Sequence, residues 1–185
     1  NRDLGEIARL LGEDAGPMEE WAEATAAALE KLWDEEQSVY ADFDLKSDER
    51  APALGGSAFA PLYAGVPSAE RAERMVARLP AVRAVVGEKG WVVTSLAPDD
   101  PRFEPTSYWR GPVWPILNWV LHRGLARYGY STLAAELRDA LVELPRRSGF
   151  WEHYNPLTGR GHGAEQFAWT AALVLDLLHD GSPHD

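Results

Sequence analysis

Apolar residues recur at helical spacing along most of the chain. Leu4, Ile7, Ala8 and Leu11 fall at i, i+3, i+4 and i+7, which predicts a short first helix. Asp3 followed by Glu6 has the form of a capping box at its start, and Gly12 and Gly16 end it. Pro17 suits the first turn of a second helix running to about Val39. Trp21, Thr25, Ala28, Leu29 and Leu32 mark one face of it, while Glu19, Glu20, Glu23, Glu30 and Lys31 make a solvated face opposite. From Tyr40 to Val66 the period is lost, and Asp42-Phe43-Asp44, Pro52, Gly55, Gly56 and Pro61 read as a long loop. Pro67-Ser68 opens a third helix, with Ala72, Met75, Val76 and Leu79 on its inner face. Trp91-Val92-Val93-Thr94 is a very short strand or plain extended chain, and Leu96–Gly111, with three prolines, is a second long loop.

Pro112 begins a segment apolar over most of its circumference (Val113, Trp114, Ile116, Leu117, Val120, Leu121, Leu125), the pattern of a helix buried on several sides. Gly129 closes it, and Ser131 caps the next helix, which carries Leu133, Leu137, Ala140 and Leu141 inward. A third loop spans Pro145 to Gly163, and a last helix runs from about Ala164 to Leu178. The count is about six helices with almost no strand. Residues 1–185 therefore read as a single all-α domain, a stack of helix pairs with long loops at one end.

Charge removes several classes of function. Lys+Arg 18 against Asp+Glu 29 leaves a net charge of −11, the wrong sign for a nucleic-acid footprint or an anionic membrane surface. The chain has no cysteine, so disulfides, thiolate metal sites and cysteine nucleophiles are excluded together. No apolar run approaches the roughly 18 residues needed to cross a bilayer, and the acidic start is unlike a signal peptide, which fits the cytoplasm. No cofactor is implied. His153 and His162, nine apart in a loop, suit a solvated or hydrogen-bonded role better than a metal site. Asp42, Asp44, Asp48 and Glu49 match a calcium loop poorly, since Lys46 and Ser47 occupy positions that need an oxygen ligand and a glycine. Gly159, Gly161 and Gly163 lack the strand and lysine of a phosphate loop.

Eight tryptophans change the picture most. Aromatic and polar residues concentrate in Ser107–Pro115, in Phe150–Gly159 and in Glu165–Trp169. Indole and phenol rings offer flat apolar faces with one polar tip, which suit the C–H faces and hydroxyl rims of sugars. Trp114, Trp119 and Trp169 sit in helical segments and fit a core equally well, whereas Trp109 and Trp151 flank loops rich in proline and glycine. Glu152, between Trp151 and Tyr154 and ahead of a turn at Asn155–Gly159, is the carboxylate best placed for acid–base work, or else a surface glutamate in a hairpin-like turn.

Trp109-Arg110-Gly111-Pro112-Val113-Trp114-Pro115 with Asn118, Glu152-His153-Tyr154-Asn155-Pro156-Leu157-Thr158-Gly159 and Phe167-Ala168-Trp169-Thr170 together resemble the C-terminal part of glycoside hydrolase family 63. Pro61–Pro67 is similar to bacterial members of that family. The resemblance spans about residues 28–178. Its Arg-Gly-Pro-Val-Trp-Pro string is also similar to segments of trehalases, debranching enzymes and disaccharide phosphorylases. It implies the C-terminal half, about six helices, of an (α/α)6 toroid belonging to a larger catalytic domain. It further implies an inverting α-glycosidase acting on an α-glucoside or α-mannoside, such as mannosylglycerate, glucosylglycerate or an α-gluco-oligosaccharide. Glu152 then matches the general base, and Trp109, Arg110, Trp114 and Asn118 match pocket walls, with Tyr154, Gln166 and Trp169 alongside. The family's general acid, an Asp in a Gly-x-Asp-x-Ser-Pro-like segment, has no counterpart here, so the acid and the other half of the barrel belong to a missing N-terminal segment or a homo-oligomer partner. The alternatives are a non-catalytic helical module that binds glycans or packs on another domain, and a trehalase-like, debranching or phosphorolytic relative.

Overall fold

The computed structural model describes residues 1–51, 53–86 and 90–180, so Pro52 lies outside the described residues. Seven α-helices and four two-stranded antiparallel hairpins alternate along the described chain. Helix α1 (Arg2–Leu11) ends at Gly12 in the left-handed region, φ 75°. The expected capping box does not form: Asn1 is the N-cap but its side chain makes no capping bond, donating instead to Thr25 Oγ1, and Glu6 pairs with Arg9. Helix α2 (Gly16–Glu30) stops well short of Val39. Trp33 and Tyr40 meet edge to face across a hairpin of β1 (Trp33–Asp34) and β2 (Val39–Tyr40), and Asp34 Oδ1 accepts from Gln37 N in the turn. The Tyr40–Val66 loop likewise contains a second hairpin, β3 (Phe43–Asp44) and β4 (Glu49–Arg50), then a 3₁₀ turn at Gly56–Phe59 and the short helix α3 (Ala60–Ala64).

Helix α4 (Ala69–Arg78) starts where Ser68 Oγ accepts from Arg71 N, and its Ala72 and Met75 are buried as their spacing requires. The extended segment at Trp91 is a strand, β6 (Gly90–Val93), paired with β5 (Arg83–Val86). Helix α5 (Pro115–Arg127) begins three residues after Pro112 and packs against α3 and α6 (Ser131–Ser148). The approach to α3 depends on Gly124, where a Cβ would stand 2.8 Å from Leu62 Cβ and 2.9 Å from Tyr63 N. Ser131 heads α6 without forming a side-chain cap, and α6 continues through Pro145 to Ser148. What read as loop after Pro145 holds the fourth hairpin, β7 (Trp151–Tyr154) and β8 (Gly161–Glu165), and the last helix, α7 (Ala168–Asp180), begins later than expected.

One core joins these elements: Phe59, Leu62, Met75, Val82, Trp91, Leu121, Leu125, Leu137, Leu144, Tyr154 and Leu177 are all essentially buried. Apolar side chains also remain uncovered. Leu4, Ile7, Leu10 and Leu11 on α1 and Trp169 and Leu175 on α7 are each half exposed or more, Leu10 at 86%. Among the described residues no helix is long and apolar enough to cross a membrane.

Candidate active site

Hairpin β7–β8 places Glu152. Its register runs Trp151↔Glu165, then His153↔His162 and Tyr154↔Gly161, so one residue of β7 is opposed by two of β8 between the first and second pairs. Glu152 is that residue, and Gly163 and Ala164 are its two opposites. Such a bulge re-aims a side chain, and here the glutamate folds over Gly163. Glu152 Oε2 accepts from Ala164 N at 3.2 Å, and Tyr108 Oη donates to Oε1 at 3.4 Å, long for such a bond. Glu152 is half-buried.

The hairpin is tied to the loop before α5. Tyr154 and Val113 exchange both backbone hydrogen bonds, at 2.8 and 2.9 Å, which sets Trp114 beside His153. Trp114 becomes the centre of an aromatic cluster: Trp109 stacks on it at 4.1 Å and 7°, Tyr108 meets it edge-on at 4.8 Å, and His153 lies at 5.1 Å. Its Nε1 donates to the Tyr108 carbonyl, fixing that loop although Tyr108 has φ 33°. Trp109 and Tyr108 present the free surface, about half exposed each, while Trp114 is 3% exposed. Glu152 thus sits beside a wall made of Tyr108 and Trp109, backed by Trp114.

Other predicted residues do other work. Asn118 faces no cavity: it is fully buried, its Oδ1 accepting from Val93 N and its Nδ2 donating to the Val93 and Trp114 carbonyls. Tyr154 is also fully buried, its hydroxyl donating to Gly149 O and accepting from Trp151 N, so it can offer no surface to a sugar. In this structure Trp114, Asn118 and Tyr154 lie behind the exposed rings, with backbone partners or neighbouring rings at their polar edges and faces. Arg110 is exposed, with its guanidinium donating to Ser107 Oγ. Gln166, at φ 54°, lies beside Gly149, Phe150 and Ala171, and Trp169 touches Phe167, so neither meets the Trp109 cluster.

His153 differs from its solvated reading: it is 4% exposed, and its Nδ1 has no hydrogen-bond partner. Burial pushes its pKa below the ordinary value, the nearby Glu152 carboxylate opposing that and His162 adding to it. Sequence reasoning placed Tyr108 in the Ser107–Pro115 aromatic segment without a role of its own and weighed Gly163 only as part of a phosphate loop. Tyr108 had a signal in its place beside Trp109, whereas nothing in the sequence reveals that Gly163 lies under a carboxylate. Among the described residues no three His, Asp or Glu side chains converge as a metal site requires. The arrangement offers one carboxylate able to take a proton beside a flat aromatic surface.

Known proteins resemble this chain in sequence and fold. The chain is 45% identical over 182 residues to a mannosylglycerate hydrolase of Rubrobacter radiotolerans, covering 97% of this chain and 41% of that enzyme. A glucosylglycerate hydrolase of Mycolicibacterium hassiacum is 32% identical over 95% of this chain and 40% of its own length. The crystal structure of the family 63 mannosylglycerate hydrolase of Thermus thermophilus in complex with Tris superposes with TM-score 0.86 at 40% identity, over 94% of this chain and 41% of that one. The chain thus spans about two fifths of the length of these relatives. The profile of the mannosylglycerate hydrolase MGH1-like glycoside hydrolase domain matches residues 1–170, and the chain belongs to that family.

Proposed function

We propose that this chain is the base-bearing part of an inverting α-glycosidase acting on an α-mannoside or α-glucoside of glycerate. Glu152 takes a proton from a water molecule as that water attacks the anomeric carbon. The glycosidic C–O bond breaks on the opposite face, and the leaving oxygen takes a proton from a carboxylic acid on another segment. In inverting enzymes the two carboxyl groups stand about 6.5–9.5 Å apart, leaving space for the water. Tyr108 and Trp109 offer the aromatic face on which the sugar ring rests. The observation carrying this reading is the placement of Glu152: a half-buried carboxylate that accepts from Ala164 N at 3.2 Å, with its other oxygen toward Tyr108 of the aromatic cluster.

The uncovered apolar residues of α1 and α7 support the second half of the proposal. Apolar residues left exposed at helical spacing, as Leu4, Ile7 and Leu11 are along α1, mark an interface. In this reading it is closed by the rest of the same polypeptide, completing an (α/α)6 toroid of which this chain is the C-terminal half and which brings the general acid. The test is Glu152→Gln in the full-length enzyme, with synthetic mannosylglycerate and glucosylglycerate as substrates. Turnover is expected to fall by about 10²–10⁴, the span of general acid–base catalysis. Proton NMR of the first turnover should show the β-anomer of the released sugar from the α-glycoside. Near-normal turnover, or release of the α-anomer, overturns the reading.

A further inference from the structure

We infer that Gly163 is a positioning residue for Glu152: the left-handed glycine of the β8 bulge leaves open the space into which the carboxylate folds, and the following amide, Ala164 N–H, holds one of its oxygens. The inference rests on the catalytic reading of Glu152 and adds which groups aim it. Gly163 has φ 80°, in the left-handed region that favours glycine. Conformation is only half of the requirement. A Cβ at Gly163 would stand 2.5 Å from Glu152 Oε2, 2.9 Å from Glu152 Cβ and 3.2 Å from His153 Cδ2. The first two are closer than real Cβ atoms come, and the Glu152 Cβ cannot swing away as its carboxylate can, so a side chain there must shift the glutamate from its seat. Gly159, in the same hairpin, also has positive φ, 70°, yet a Cβ there meets only Leu144 Cδ2, at 3.8 Å. The same backbone requirement thus occurs twice in one hairpin, once with the carboxylate against it and once without.

The seat makes the two carboxylate oxygens unlike. Oε2 is turned to the backbone amide, and Oε1 points to Tyr108 Oη at 3.4 Å. Oε1, met only by the long 3.4 Å contact from Tyr108, is the less firmly held oxygen and the one we assign to take the proton from water, and the bulge fixes its direction relative to the aromatic wall.

Asparagine separates space from conformation, because it enters the left-handed region at small cost while still carrying a Cβ. In the full-length enzyme, Gly163→Ala and Gly163→Asn should both lower kcat on mannosylglycerate by about 10²-fold, the cost of roughly 1 Å misplacement of a reacting group. Mannose binding, followed by calorimetry, should be retained, and Gly159→Asn should stay within about threefold of the parent. In a Glu152→Gln background, Gly163→Asn should cost almost nothing further, since sites acting through one group are not additive. Full turnover of Gly163→Asn overturns the inference, as does an undiminished extra loss in the Glu152→Gln background. Loss of mannose binding in both Gly163 variants also overturns it, by making the glycine a folding residue. If Glu152→Gln itself turns over normally, the catalytic reading of Glu152 has failed, a result distinct from any of these.

Discussion

Replacing Asn118 by alanine should unfold the protein before it weakens the site. Strand β6 is paired with β5 on one side only, so the Val93 N–H and C=O on its other edge need a partner inside the core. Asn118 supplies both, Oδ1 accepting from Val93 N at 2.7 Å and Nδ2 donating to Val93 O at 2.9 Å, while the third bond reaches Trp114 O at 3.0 Å. After truncation the Trp114 carbonyl keeps the backbone N–H of residue 118, at 3.1 Å, but both Val93 groups are left without partners in a dry interior. Each orphaned group costs about 1–3 kcal/mol, so the expected loss is about 2–6 kcal/mol. That is a large part of the roughly 5–15 kcal/mol by which a domain is stable. The assay is urea unfolding of the full-length Asn118→Ala variant, with KM and kcat measured where the protein is still folded. A lower midpoint at unchanged slope, with KM within about threefold, is the expected result. An unmoved midpoint together with a tenfold or larger rise in KM would show Asn118 facing the sugar and refute the reasoning.

The two stacked indoles should separate by function. Trp109→Ala removes the half-exposed ring and should raise KM by about tenfold with little change in melting temperature, the size expected of one aromatic face; Trp114→Ala empties the backing and should cost about 3–5 kcal/mol of stability, read by denaturant titration. His153 should make the protein acid-labile. Its folded pKa is lowered by burial from the ordinary 6.5, so the unfolded chain binds the proton more readily. The stability is complete above about pH 6.5 and falls as the pH drops from there toward the depressed value. A His153→Gln variant should flatten that slope in melting curves taken from pH 8 to 5, and an unchanged slope would show that another group governs it.

How much of this was legible beforehand followed from length and period. Helices α4, α5 and α6 were readable because ten or more residues sample the 3.6-residue repeat several times. The hairpins β1–β2 and β3–β4 were not, since strands of two residues cannot display alternation. What holds β1–β2 is distant in sequence: Arg71 and Arg74 of α4 lie over the Trp33 ring. The end of α2 was missed for the same reason: Leu32 continues the apolar pattern, but Trp33 finds Tyr40 and those arginines. In the site, the chemistry-bearing types were visible and their division of labour was not. Trp109 and Trp114 read alike until Val113–Tyr154 pairing buries one of them. Asn118 read as a pocket residue because nothing in a sequence shows that an amide 25 positions away will occupy its oxygen.

What marks the site physically is strained backbone held by independent restraints. Among the described residues, four other than glycine have positive φ: Ser38, Asp48, Tyr108 and Gln166. Ser38 and Asp48 lie in tight hairpin turns, where short polar side chains enter the left-handed region cheaply. A tyrosine gains no such local compensation, and an outlier of that kind costs on the order of 1–3 kcal/mol. Tyr108 is nevertheless kept there by the Trp114 Nε1 bond to its carbonyl and by edge-on packing against that same indole. Trp114 is in turn fixed by the two bonds between Val113 and Tyr154, and Tyr154 belongs to the strand that carries Glu152. The aromatic wall and the carboxylate are therefore referenced to one another through a short covalent and hydrogen-bonded path rather than through the helices beneath. A substitution that loosens the Val113–Tyr154 pair should displace both together, whereas one in α5 below Asn118 should change stability and leave their mutual geometry intact.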